Sequence, residues 1–158
     1  MVESGNFLQK RGEKMFTGEY RHSVDTKGRV IMPAKFRETL GNKFFVTRGL
    51  DGNLQIYSWD EWNKVYEKLS TLPTLVDRNS RALSRHLLSG CVECEVDKQG
   101  RILIPSSLRL YAGIDKDIVI IGNGNKVELW SLERWETYMD DIDPDSVAAN
   151  LCDLGILI

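Results

Sequence analysis

Apolar and polar positions follow one order in the first part of the chain and the same order again further on. Residues 19–24 and 91–96 each read as a strand that ends at an aspartate. Asp25-Thr26-Lys27-Gly28 and Asp97-Lys98-Gln99-Gly100 then supply turn chemistry. Asp in the first turn position can accept a backbone N–H and Gly in the fourth tolerates a positive φ, so a tight hairpin is predicted at each. The chain returns through short apolar runs at 29–32 and 101–104, the pattern of a strand buried on both faces. Pro33 and Pro105 stand where a helix would begin, with φ already set and no N–H to lose, and Gly41 and Gly113 follow, which predicts a two-turn helix in each copy. Strands at 44–46 and 118–121, turned by loops rich in Gly and Asn or Asp, pair with strands at 54–57 and 127–130. Each copy therefore runs strand, strand, helix, strand, strand.

The repetition extends to the residues themselves. Val-Asp-Thr-Lys-Gly-Arg-Val-Ile-Met-Pro-Ala-Lys-Phe-Arg, ending at Arg37, recurs as Val-Asp-Lys-Gln-Gly-Arg-Ile-Leu-Ile-Pro-Ser-Ser-Leu-Arg, ending at Arg109, at a constant offset of 72. Internal repetition at this level decides the architecture. Helices are predicted after each copy, at 59–69 and 132–139. Between the copies, 74–88 has Leu75, Val76, Leu83 and Leu87 on one side and Arg78, Arg81 and Arg85 on the other. That arginine stripe fits an acidic partner or DNA, and it also fits the wet face of an amphipathic helix, the commoner case. The expected fold is mainly β with short helices, an α+β chain. Its parts are an extension at 1–14, a first repeat at 15–62, a helical connector at 63–89, a second repeat at 90–134 and an acidic helical tail at 135–158.

Composition makes this an ordinary globular chain of 158 residues, 42% hydrophobic and 28% charged. No apolar run reaches the roughly 20 residues of a membrane helix, and Met-Val-Glu-Ser-Gly-Asn lacks the layout of a signal peptide, so a cytoplasmic location is expected. Cys91, Cys94 and Cys152 are an odd number at unrelated spacings, which favours reduced thiols. The net charge of −2 conceals an asymmetry: residues 20–48 hold seven bases against two acids, while 127–158 hold Arg134 against eight acids. A basic first repeat and an acidic tail point to one anion-facing surface, with solvated surface charge as the bland alternative.

A repeated D-x-x-G-R on hairpins, followed by an apolar triplet and Pro, resembles the MraZ family of bacterial transcriptional regulators, which carry two AbrB-like repeats. The resemblance opens at Met15-Phe16-Thr17-Gly18-Glu19-Tyr20-Arg21-His22 and runs through Gly-Leu-Asp-Gly-Asn-Leu at 49–54 to Val-Glu-Leu-Trp at 127–130. It departs at Val24, where Leu is usual, and in residues 1–14, which precede the customary start. The resemblance implies a tandem swapped-hairpin β-barrel, assembly into a homo-oligomeric ring, and binding to double-stranded DNA. The DNA would be direct repeats in the promoter of the division and cell-wall gene cluster, including the chain's own operon, which places the protein at the nucleoid. By motif position the family's DNA-contacting residues fall on Asp25 and Arg29, with Asp97 and Arg101 in the second copy.

The residues fit such a role. A hairpin tip with Lys27 and Arg29 can reach phosphates or a guanine edge, and Asp25 can hold the arginine fork by a charge-assisted hydrogen bond. Turn formation alone would also account for Asp25 and Asp97. Arg101 lies near Glu93 and Glu95, so the second copy is expected to brace the fold more than to touch DNA. Cys91-Val-Glu-Cys94 has zinc-like spacing, but an odd separation on a strand sends its side chains to opposite faces, and no metal or other cofactor is expected. His22 and His86 lack a nucleophile motif, no Gly-rich phosphate loop is present, and Trp59, Trp62, Trp130 and Trp135 suit packing better than base stacking. No enzymatic activity and no small-molecule substrate are expected, since a turn-tip Asp–Arg pair has no pocket to exclude water. The competing function is an antitoxin-like module on the same fold that binds a partner protein.

Overall fold

The computed structural model describes residues 15–156; the extension at 1–14 lies outside them. Along the chain run β1 (Glu19–Ser23), β2 (Arg29–Ile31), α1 (Ala34–Leu40), β3 (Lys43–Arg48), β4 (Leu54–Ser58), α2 (Trp59–Ser70) and α3 (Arg78–Ser89). The second half repeats the order with β5 (Val92–Glu95), β6 (Arg101–Leu103), α4 (Ser106–Ala112), β7 (Asp117–Asn123), β8 (Lys126–Ser131), α5 (Leu132–Asp141) and α6 (Pro144–Asp153). The architecture is mixed α+β, with more residues in helices than in strands among those described.

The two repeats are interleaved. Six strands form one antiparallel sheet in the order β1-β7-β8-β4-β3-β5, and β2 pairs with β6 in a separate two-stranded ribbon. Each repeat's first strand has therefore left its own repeat: β1 lies on β7, with Tyr20 opposite Ile120, and β5 lies on β3, with Cys94 opposite Phe44. The pairing is nearly two-fold symmetric. In the ribbon Val30 faces Ile102, its own counterpart, and in the sheet Gln55 faces Glu128 where β4 meets β8. The sheet is open at β1 and β5, with no ladder between these edges.

One core serves both repeats. Val30, Met32, Phe36, Leu40, Phe44 and Ile56 from the first pack with Ile102, Ile104, Leu108, Ala112, Ile118 and Leu129 from the second, all buried. The two halves of the core differ in size: Phe36 and Leu40 correspond by the offset of 72 to the smaller Leu108 and Ala112. The rings of Phe16 and Tyr20 meet Phe36 edge-to-face at 5.5 and 5.3 Å, a favoured aromatic arrangement.

Three sequence expectations need correction. The chain is not mainly β with short helices, because α2 and α3 run 12 residues each and α5 and α6 10 each, and helices hold more of the described residues than strands do. The runs at 29–32 and 101–104 are not buried on both faces. Val30 and Ile102 are buried, but Ile31 is 49% and Leu103 56% exposed, because the ribbon covers the core with its inner face only. A three-residue apolar run carries too little periodicity to show this. The connector helix also starts later than the apolar spacing implies. The Asp77 carboxylate accepts from the Ser80 amide at 2.9 Å and the Ser80 hydroxyl at 2.6 Å, capping a helix that begins at Arg78. Leu75 and Val76 consequently lie in the preceding turn, almost wholly exposed, and not on the helix's apolar side.

Because Phe36 fills the shared core, Phe36→Ala is expected to lower unfolding free energy by about 3–5 kcal/mol in urea titration. A loss below about 1 kcal/mol would contradict a core closed around this ring.

Candidate nucleic-acid interface

The two hairpin tips are built alike, atom for atom. In the first, one Asp25 carboxylate oxygen accepts from the amides of Lys27 and Arg29, both at 2.9 Å, and the other accepts from Arg29 Nε at 2.7 Å. In the second, Asp97 accepts from the amides of Gln99 and Arg101 and from Arg101 Nε, all at 2.9 Å. Backbone bonds close each loop, from Gly28 N–H to Asp25 O and from Gly100 N–H to Asp97 O, both 3.0 Å. The glycines sit at φ of +85° and +80°, where a side chain would be strained.

Each aspartate thus joins the turn role to the arginine-holding role. Hydrogen bonds from the Arg29 backbone amide, and then from its side chain, hold the Asp25 carboxyl down at about 2, against partial desolvation that acts the other way. Asp97 is lowered for the same reasons through Arg101. The brace uses only Nε of each arginine. Among the described residues no hydrogen bond engages the terminal nitrogens of either guanidinium.

The ribbon brings the sequence-predicted residues to one place. Strand alternation with buried Val30 and Ile102 puts Arg29, Ile31, Arg101 and Leu103 on the outer face. Lys27 and Lys98 are exposed at the tips. Arg101 is not set apart by acidic neighbours: Glu93 and Glu95 pair with Lys43 at 3.9 and 3.8 Å, and the Arg101 side chain is 26% exposed against 29% for Arg29.

Two further arginines belong to the same face and were not singled out from the sequence. Arg109 donates from Nε to Ile104 O and Arg37 to Met32 O, both at 3.0 Å. Each guanidinium lies over the tip glycine of the other repeat, where a Cβ would come within 2.8 Å of the Arg109 carbon at Gly28 and 2.9 Å of the Arg37 carbon at Gly100. The tips are bonded to the opposite repeat as well, from Met32 N–H to Gly100 O at 2.9 Å and from Ile104 N–H to Gly28 O at 3.0 Å. The sequence signal was present, since the repeated stretch ends at Arg37 and Arg109.

Other candidates lie elsewhere. Arg81 of the connector stripe donates to Thr74 O at 3.0 Å. His86 Nε2 lies 2.9 Å from Gly49 O, beside the Tyr111 hydroxyl, which donates to the same carbonyl. Glu128 is not surface charge; it is buried and accepts from Asn53, Asn123 and Trp130. Burial pushes the Cys91 and Cys94 thiols up to about 11, and no cluster of three or more metal-ligating side chains occurs among the described residues. Trp130 and Trp62 are buried, while Trp59 packs on Phe45 at 5.3 Å.

A family model described as "MraZ protein, putative antitoxin-like" matches the chain twice, over residues 15–85 and 87–151. The transcriptional regulator MraZ of Caldanaerobacter subterraneus subsp. tengcongensis is 54% identical over 144 residues, covering 90% of this chain and all of that protein. Proteins of the same name from Thermoanaerobacter sp. (strain X514) and Clostridium beijerinckii are 52% and 53% identical, with the same coverage.

The brace has a pH signature. A carboxyl held down on folding stabilises the hairpin fully above the ordinary aspartate value of about 4 and loses that contribution as pH falls through about 2. Carboxyl carbon NMR should show Asp25 titrating near 2, and titration near 4 would mean that the Asp25–Arg29 contact is not formed in solution.

Proposed function

Because this chain belongs to the MraZ family, we propose that it is a transcriptional regulator which binds double-stranded DNA through the β2–β6 ribbon. The observation that carries the reading is the pair of identically braced arginines, one from each repeat, on the outer face of a two-stranded ribbon. A two-stranded ribbon fits a major groove about 12 Å wide. An arginine fixed at Nε aims its remaining donors without the entropy cost of a free side chain, and its planar fork matches the acceptors of a guanine edge or a phosphate. Lys27, Lys98, Arg37 and Arg109 surround the ribbon with positive charge that would follow the DNA backbone. Asp25 and Asp97 act by holding Arg29 and Arg101.

The finer reading follows the family resemblance: direct repeats in the promoter of the division and cell-wall gene cluster, including the chain's own operon, bound at the nucleoid by a ring of subunits. The fold that accompanies it is a swapped-hairpin barrel in which the ribbon bridges the free edges, supported by contacts of β2 with β1 and of β6 with β5. The relatives' name supports a regulator over an enzyme. An antitoxin-like role would call for a tail free to wrap a partner, whereas α5 and α6 make most of this tail helical.

Arg29→Ala should weaken binding to DNA from upstream of the chain's own gene by roughly 1–3 kcal/mol if it reads a base, or flatten the salt dependence by about one unit if it holds a phosphate. Arg101→Ala should act in the same range, given its matching geometry. Unchanged affinity at all salt concentrations with the fold intact would refute the ribbon as the interface.

A ring would hold several small patches at neighbouring DNA repeats and raise affinity about a hundredfold over a single repeat. Light scattering should show a multi-subunit species, and titration should favour DNA with several repeats. A monomer at micromolar concentration, or equal affinity for one repeat and several, would contradict the assembly.

A further inference from the structure

The outer face of the ribbon is not uniformly cationic. Arg29 lies directly opposite Leu103, and Ile31 directly opposite Arg101, so two cations and two aliphatic side chains alternate in a checkerboard. Cross-strand neighbours stand about 5 Å apart, close enough to touch adjacent base pairs of one groove. Ile31 and Leu103 are 49% and 56% exposed, while Val30 and Ile102 between them are buried. Core packing therefore accounts for the inner pair and leaves the outer pair unexplained. A surface that bound phosphates alone would gain nothing from aliphatic groups at its centre.

We propose that Ile31 and Leu103 are base-reading residues, each seated against the C5-methyl group of a thymine next to the base contacted by the arginine across the ribbon. Thymine is the base that presents a methyl group in the major groove, and aliphatic contact is how that group is recognised. Charge selects this occupant over an apolar protein surface. Arg29 and Arg101 share the face and Arg37 and Arg109 flank it, so an apolar partner would strip water from cations without offering them acceptors. A DNA groove supplies acceptors and methyls side by side. The inference rests on the DNA-binding reading above and assigns the ribbon's two aliphatic residues a part in specificity.

The test uses the full chain and the tightest-binding duplex recovered from a randomised DNA pool. Each thymine is replaced in turn by deoxyuridine, which removes only the methyl. Wild-type affinity should fall about fourfold at one or more thymines, the equivalent of roughly 0.8 kcal/mol for one buried methyl. In Ile31→Ala or Leu103→Ala the same replacement should have little further effect, because the contact is already gone. Should either alanine variant fail to fold, Ile31→Ser and Leu103→Ser, which also lack the aliphatic group, give the same comparison. If no thymine is sensitive, or sensitivity persists unchanged in both variants, the proposal is overturned while DNA binding stands. A change in oligomeric state in these variants, with methyl sensitivity intact, would also overturn it, in favour of a protein contact. If the pool yields no bound duplex, the DNA-binding reading falls and this inference falls with it.

Discussion

The structure depends on an exchange of strands between two copies of one sequence unit. β2 is three residues long and forms its ladder with β6 of the other repeat, while β1 lies on β7 of the second half. Neither repeat can complete its backbone hydrogen bonds alone, and a lone short hairpin is at best marginally stable in water. Burying Val30 against Ile102 therefore fixes the ribbon, the register of both tips and the common core together. The pairing also places the second repeat's Arg109 beside the first repeat's Gly28, and Arg37 beside Gly100. The cationic face belongs to both repeats jointly.

Rigidity at that face comes from small pieces of chemistry used twice. Each aspartate carboxylate accepts three hydrogen bonds, two that shape the turn and one that holds an arginine. The glycine that permits the turn also leaves room for a guanidinium from the opposite repeat. The turn and the charge array are therefore one construction, and a side chain at either glycine would disturb both. The acidic residues of the tail lie mostly on α5, α6 and their flanks, and Glu128 is withdrawn into a buried network.

Local features were legible in the sequence because local chemistry dictates them. The Asp-x-x-Gly turns, the two-turn helices behind Pro33 and Pro105, and the Asp25–Arg29 and Asp97–Arg101 pairs all follow from residues within a few positions of one another. Features that depend on distant partners were not legible from the residues themselves. The outward face of Ile31 and Leu103 is set by the ribbon's position over the core. The late start of α3 is different, a local cap from Asp77 to Ser80 that apolar spacing alone passes over. Arg101 looked shielded by Glu93 and Glu95 along the chain, yet strand pairing delivers those carboxylates to Lys43. The repeat itself held the missing information, since two copies of one motif imply two equivalent sites.

That equivalence is the centre of the account, and amide hydrogen exchange on the full chain with and without bound duplex tests it directly. Protection by DNA should appear at both hairpin tips and both ribbon strands, residues 25–31 and 97–103, to a similar degree. Protection confined to one repeat, or concentrated on α3 around Arg78, Arg81 and Arg85, would contradict it.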